Sequence, residues 1–299
     1  MKNKISPSVS APLLIAAVLV LMSVSELMIT GRSGNDQNVY LTAIVVQIIV
    51  FVLPSALYYH LRRGRVADPM FMRPVKLSQM VFVLFALLMF VVGMMFIMFL
   101  TYIFTDGSAS GTDIKLNYFD TEGNTALYAA LAFAVVPAVC EELFFRGVVL
   151  SEYSTFGSLN AVAVSTVSFA MFHFNPSNIA GYLFSGAVFG FLTVVTRSVW
   201  PAVLLHLANN LISLYMSDSF ISLMVQEAGS FFVGFVLFTT FALLLLVVLS
   251  RAEHIYYKYS AEPPVDTMPP SSREHLSEVY LSPSFFLLVG VFVLAAFLH

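Results

Sequence analysis

Long apolar runs, separated by short polar segments, cover most of this chain. They lie at about residues 11–30, 40–60, 78–104, 125–150, 158–174, 178–197, 200–217, 230–250 and 283–298. A helix of about 20 apolar residues crosses the hydrocarbon core of a bilayer and satisfies its own backbone polar groups there. The pattern therefore predicts an all-α fold, a polytopic membrane helix bundle of eight to nine transmembrane helices.

Composition agrees with a membrane protein. The chain is 59% hydrophobic and only 10% charged, whereas soluble domains are about 25% charged. Its net charge is −3, and no basic stripe interleaves with aromatic residues, so nucleic acid is not an expected partner. Membrane lipid is the expected surrounding. The single cysteine, Cys140, excludes an intramolecular disulfide and fits a small packed hydrophobe.

Polar breaks divide the chain into three predicted parts. Residues 1–124 hold N-terminal transmembrane helices, 125–215 hold the intramembrane charges described next, and 216–299 hold C-terminal helices with a polar loop at 251–282. Basic residues favour the cytoplasmic side of a membrane. They precede the first run and cluster after the second, at Lys2, Lys4, Arg62, Arg63, Arg65, Arg73 and Lys76. We therefore expect an integral membrane protein with a cytoplasmic N-terminus.

Three charges interrupt the fourth apolar run, at Glu141, Glu142 and Arg146. Ionisable groups at membrane depth are costly and usually functional. On a helix, Glu142 and Arg146 share a face at i, i+4 and can pair. Glu141 is rotated by about 100° and has no local counter-ion. It is a candidate general base, although a cluster that only holds helices together has the same composition.

Two later helices carry histidines. His173 follows Phe169 by four residues near a predicted helix end, and His206 precedes Asn210 by four residues after Pro201. Either histidine alone could simply make hydrogen bonds between helices. Together with Glu141, they could activate water and bind a developing oxyanion, or they could hold a divalent metal that activates water.

Depth arithmetic tests whether these groups can meet. Glu141 and His173 each lie about 20 Å along a helix from a turn predicted near residues 154–158, so they should be level. His206 lies only about 10 Å along its own helix. A tilted helix or a recessed helix start is needed to bring His206 to the same depth.

The three motifs in this order resemble the CAAX protease and bacteriocin-processing (CPBP, Abi) family of membrane proteases. They read Glu141-Glu142-Leu143-Phe144-Phe145-Arg146, Phe169-Ala170-Met171-Phe172-His173 and His206-Leu207-Ala208-Asn209-Asn210. The resemblance covers about residues 125–215, which would be the catalytic core. It implies an all-helical intramembrane endopeptidase acting on membrane-associated proteins or peptides, either CAAX-type or related to bacteriocin processing and immunity.

The resemblance also implies roles for single residues. Glu141 would be the water-activating base with His173 beside it, Glu142 and Arg146 the supporting pair, and His206 with Asn210 the oxyanion-binding or metal-binding group. Both a metallopeptidase and a metal-free glutamate mechanism are associated with the family. The implied cofactor is therefore either none or one divalent metal such as Zn²⁺, held by Glu141, His173 and His206.

Two other classes remain open at this point. A transporter could use the same charges as a proton relay, although the inverted repeat expected of many transporters is not visible. A non-catalytic scaffold or immunity protein could keep the residues only to hold helices together. The expected location is a prokaryotic cell membrane. Because bacteria generally lack protein prenylation, this location would favour a peptide or membrane-protein substrate.

Overall fold

The computed structural model describes residues 6–29, 38–62, 72–105, 124–216, 219–261 and 276–297. Within these ranges, six helices are long and apolar enough to cross a membrane. They are α1 (Pro7–Ile29), α2 (Val39–Leu61), α3 (Leu77–Phe104), α4 (Ala126–Phe156), α6 (Ile179–Thr196) and α9 (Ser230–Ala261).

Shorter helices complete the bundle, namely α5 (Ser158–Met171), α7 (Trp200–Tyr215), α8 (Phe220–Ala228), α10 (Leu276–Tyr280) and α11 (Pro283–Ala296). Of these, α5 and α11 are apolar but shorter than a full span. The predicted all-α polytopic bundle is confirmed, and the total of eight to nine spans stays a prediction.

Two of the long helices contain wide, π-helical turns around or just before a proline. The turns of α2 at Ile48–Val52 precede Pro54, and those of α4 at Leu131–Val135 precede Pro137. Proline has no N–H, and its ring clashes with the carbonyl four residues earlier, so the regular α-helical ladder cannot continue there. Wide turns of this kind frequently lie at functional sites. Here the turns of α2 begin directly after Gln47.

Helices that are distant in sequence pack together. The first and last helices, α1 and α11, lie side by side, as do α3 and α9, while α5, α6 and α7 are successive neighbours that also contact α4 or α3. Buried phenylalanines fill the centre, where the rings of Phe145 and Phe169 meet edge to face at 5.4 Å. The third segment of wide turns, Leu143–Leu150 of α4, lies in this aromatic core.

The turn predicted near residues 154–158 is present. Gly157 joins α4 to α5 with a φ of 100°, a backbone conformation that glycine adopts without steric cost. At the other end of α5, the turn after His173 places Phe174 at a φ of 45°.

The polar loop expected at 251–282 is partly helical. Helix α9 continues to Ala261, and α10 lies at Leu276–Tyr280. A helix makes its backbone hydrogen bonds internally, so it can continue from lipid into water when its side chains become polar. Polar segments that separate the apolar runs, at 31–34, 106–123 and 262–275, lie outside the described residues.

Candidate active site

The predicted pair of Glu142 and Arg146 forms, with both side chains fully buried. Nη1 of Arg146 donates to Oε1 of Glu142 at 2.8 Å, and Nη2 donates to the backbone carbonyl of Gly186 at 3.1 Å. A buried ion pair is tolerated only when geometry and hydrogen bonds compensate for lost hydration. The guanidinium of Arg146 meets this requirement, because its hydrogen bonds to Glu142 and to the Gly186 carbonyl join α4 to α6.

Aromatic rings surround the same guanidinium. Cζ of Arg146 lies 4.9 Å from the ring centroid of Phe169, 5.3 Å from that of Phe189 and 5.8 Å from that of Phe145. Cations are attracted to the faces of aromatic rings, more strongly where water is excluded. The rings therefore stabilise the buried charge and fix Arg146 against α5 and α6.

His206 contacts both carboxylates of α4. Its Nδ1 donates to Oε1 of Glu142 at 2.9 Å, because a carboxylate that already accepts from Arg146 offers only acceptors. Its Nε2 lies 3.9 Å from Oε2 of Glu141. The imidazole stacks on Phe189, with ring centroids 5.4 Å apart, which orients it.

The depth mismatch expected for His206 is absent, and the local packing indicates why. Met72 pairs with Ser198 in an antiparallel bridge, and Oγ of Ser198 donates to the carbonyl of Arg73. The Met72 methyl group reaches 3.2 Å from where a Cβ on Gly147 would stand. Residues 72 and 73 thus pack against the segment just before α7, and Met72 also reaches α4, so this contact helps to hold the start of α7 beside α4.

Glu141 has partners from other helices. Glu141 is only 8% exposed, and Nε2 of Gln47 on α2 donates to Oε1 of Glu141 at 3.3 Å. The sequence correctly indicated no counter-ion on its own helix. It did not indicate Gln47, since an isolated glutamine in an apolar run carries no signal for the helix it will face.

His173 lies apart from the carboxylates in the turn after α5. Its Nδ1 donates to the carbonyl of Phe169 at 2.9 Å, which leaves Nε2 as the free acceptor when the ring is neutral. The imidazole stacks on Tyr182 of α6 with ring centroids 3.9 Å apart. Tyr182 is a neighbour that sequence reasoning missed.

One cavity of about 610 Å³ brings the three motifs together, and it is lined by Glu141, His173, His206 and Asn210. Glu142 and Arg146 lie behind this wall. Further polar residues at its surface include Gln47, Asn209 and Tyr182, none of which was predicted as a site residue. Apolar walls come from several helices, through residues such as Met22, Val46, Met94, Ile97, Met98 and Phe133.

The proposed metal ligands do not form a metal site in this arrangement. In the part of the chain that the structure describes, no three His, Cys, Asp or Glu side chains converge to hold an ion. Nδ1 of His173 is engaged by the backbone, and Nδ1 of His206 by Glu142. No chemical step proposed below therefore passes through a metal.

Comparison with known proteins gives one match. Residues 123–212 match the family described as Rce1-like, type II CAAX prenyl endopeptidase Rce1-like. No curated protein and no solved structure matches the chain. The matched segment contains α4, α5, α6 and most of α7, and so all the predicted site residues. The chain is therefore an integral membrane protein whose residues 123–212 are similar to the type II CAAX prenyl endopeptidases of the Rce1-like family.

Proposed function

We propose that this protein is an intramembrane endopeptidase that hydrolyses peptide bonds of membrane-associated proteins or peptides. The observation that carries the proposal is the shared cavity, where Glu141, His173, His206 and Asn210 meet. A cavity of about 610 Å³ falls within the size range of small-molecule sites and enzyme clefts. Its apolar walls suit a substrate segment that approaches from the bilayer.

Charge balance supports one working protonation state. With Glu141 and Glu142 ionised and Arg146 charged, the buried cluster carries one net negative charge. Burying net charge is expensive, and a proton on Nε2 of His206 makes the cluster neutral. In that state Glu141 can accept a proton, and Nε2 of His206 can donate a hydrogen bond into the site.

The proposed reaction uses one water molecule. Glu141 takes a proton from the water, and the water oxygen attacks the scissile carbonyl carbon. The carbonyl oxygen thereby gains negative charge. The amide of Asn210 and Nε2 of His206 donate hydrogen bonds to this oxyanion. The proton held by Glu141 then passes to the leaving amine as the C–N bond breaks, and the other product leaves as a carboxylic acid that carries the second proton of the water.

His173 would assist the same water. Its Nδ1–H is committed to the carbonyl of Phe169, so Nε2 presents a lone pair. A water held between this nitrogen and the Glu141 carboxylate would be oriented by two acceptors. That is the role expected for a side chain placed beside a general base.

The test is cleavage of quenched-fluorescent peptides by the purified protein in detergent. The panel contains a prenylated CAAX peptide, the same peptide without the lipid, and hydrophobic leader peptides. Wild type is compared with Glu141→Gln and with Glu253→Gln, a change to an exposed carboxylate on α9, each with and without a chelator.

We expect cleavage that is lost in Glu141→Gln and kept in Glu253→Gln. Retention of cleavage with chelator supports the metal-free step, and its loss calls for a metal instead. Full activity of Glu141→Gln contradicts the assigned base. Failure of the wild type to cleave any member of the panel favours a non-catalytic scaffold.

A further inference from the structure

Gln47 lies outside the segment that matches the CAAX protease family, yet its side chain contacts the proposed base. Nε2 of Gln47 donates to Oε1 of Glu141 at 3.3 Å, and the residue lines the cavity. We propose that Gln47 is a positioning residue of the active site, holding the Glu141 carboxylate in the orientation that accepts the proton of water. This inference rests on the proposed function.

Hydrogen-bond chemistry assigns the direction of this contact. An ionised carboxylate has only acceptors, so the amide must turn its nitrogen toward Glu141. The bond engages Oε1 of Glu141, whereas Oε2 is the oxygen nearer to Nε2 of His206, at 3.9 Å. Oε1 of the base is thereby held from α2, while Oε2 lies nearer to His206 on α7.

The oxygen of the Gln47 amide indicates that the contact with Glu141 is selective. Oε1 of Gln47 is buried and has no hydrogen-bond partner among the described residues. A buried acceptor without a partner costs free energy, so it needs an explanation in the structure. A glutamine that served only to join two helices would gain stability from hydrogen bonds at both its amide nitrogen and its amide oxygen. Among the described residues, only the nitrogen of Gln47, which faces Glu141, has a hydrogen-bond partner.

The backbone of α2 also changes at this residue. The regular helix Asn38–Gln47 gives way to the wide turns Ile48–Val52, ahead of Pro54. Wide turns rotate the following residues around the helix axis and are frequent at functional sites. Within these turns Phe51 is buried against Phe144 and Phe145 of α4, so α2 is packed against the helix of Glu141 directly after Gln47.

The test compares Gln47→Met with wild type, since methionine keeps the length and volume but removes the donor. Gln47→Asn is a second variant that keeps the amide but withdraws it by one methylene. The matched control is Gln226→Met, the same change at an exposed glutamine of α8 that does not line the cavity. kcat, KM and the thermal unfolding midpoint are measured for each variant, with Glu141→Gln in parallel.

We expect both Gln47 variants to remain folded and to lose about 10- to 100-fold in kcat, the scale of effects that follow from a small misplacement of a catalytic group. KM should stay within about twofold, because substrate binding does not need an oriented base. Gln226→Met should change neither constant. A purely structural glutamine would instead lower the unfolding midpoint and leave the kcat of folded protein unchanged.

Wild-type kcat in either folded Gln47 variant overturns the inference, and so does an equal loss in Gln226→Met. These outcomes are separate from failure of the proposed function. If Glu141→Gln is inactive while Gln47→Met is fully active, only the positioning role is lost. If Glu141→Gln is itself active, the assigned base is wrong and both proposals fall.

Discussion

Nδ1 of His206 lies 2.9 Å from Oε1 of Glu142, and the same oxygen accepts from Arg146 at 2.8 Å. One carboxylate oxygen thus joins α4 to α7 and stays behind the cavity wall. Glu141, which precedes Glu142 in the sequence, lines the cavity. Adjacent residues on a helix point about 100° apart, so one glutamate fastens helices while the next is available for chemistry.

The buried guanidinium gives the first prediction. Arg146→Met should destabilise the protein by about 3–5 kcal/mol, because Glu142 is left as an uncompensated buried charge. Thermal unfolding in detergent measures this loss. The double variant Glu142→Gln with Arg146→Met should recover part of it, since the orphaned charge is then removed.

Arg251→Met is the control for that experiment, because Arg251 is exposed on α9. Its effect should lie within about 0.5 kcal/mol of wild type. An Arg146→Met protein as stable as Arg251→Met would show that the buried ion pair does not stabilise the bundle.

Two adjacent asparagines on the cavity wall allow a matched comparison. Asn210→Leu should lower kcat by about 10²- to 10³-fold, the usual effect of removing an oxyanion donor. Asn209→Leu removes the same amide from the same cavity and should have a much smaller effect. Steady-state peptide cleavage measures both, and equal losses would contradict the specific assignment of Asn210.

Close packing of α5 against α6 gives a third prediction. A Cβ on Gly186 would lie 3.0 Å from the Cα atom of Thr166, and the Gly186 carbonyl accepts from Arg146. Gly186→Ala should therefore destabilise the protein by about 1–3 kcal/mol. Gly290→Ala is the control, because a Cβ at Gly290 meets nothing within 4 Å. Equal unfolding midpoints for the two variants would contradict the tight contact.

A second polar cluster lies at the other end of α4. Oε2 of Glu152 accepts from Tyr58 at 3.0 Å and pairs with Arg62 at 2.9 Å, while Nη1 of Arg62 donates to Ser10. None of these residues lines the cavity. The cluster therefore joins α1 and α2 to the family-matched segment without contributing to the chemistry.

Tyr58→Phe should cost about 1 kcal/mol, the net value of a typical hydrogen bond. Glu152→Ala should cost about 3 kcal/mol, since it leaves Arg62 without its carboxylate. Unfolding in detergent gives both values, and kcat per folded molecule should be unchanged. A large loss of kcat in stable Tyr58→Phe protein would place this cluster in the catalytic cycle.

Short-range features of the site could be read from the sequence. The pairing of Glu142 with Arg146 depends only on helical spacing, and it forms as predicted. The turn at Gly157 and the common depth of Glu141 and His173 likewise come from counting residues along two consecutive helices. The all-α membrane class came from run length and composition, because a bilayer admits few other solutions.

The tertiary structure alone decided which helices face one another. Gln47 reaches Glu141 from 94 positions away, and His206 reaches Glu142 from 64 positions away. Apolar helices have no strong sequence pattern for their contact faces, since lipid and protein interior are both hydrocarbon-like. The contact of residues 72 and 73 with Ser198, just before α7, likewise joins segments that are distant in sequence. Local spacing determined the residues that can do chemistry, and packing between distant helices determined their partners.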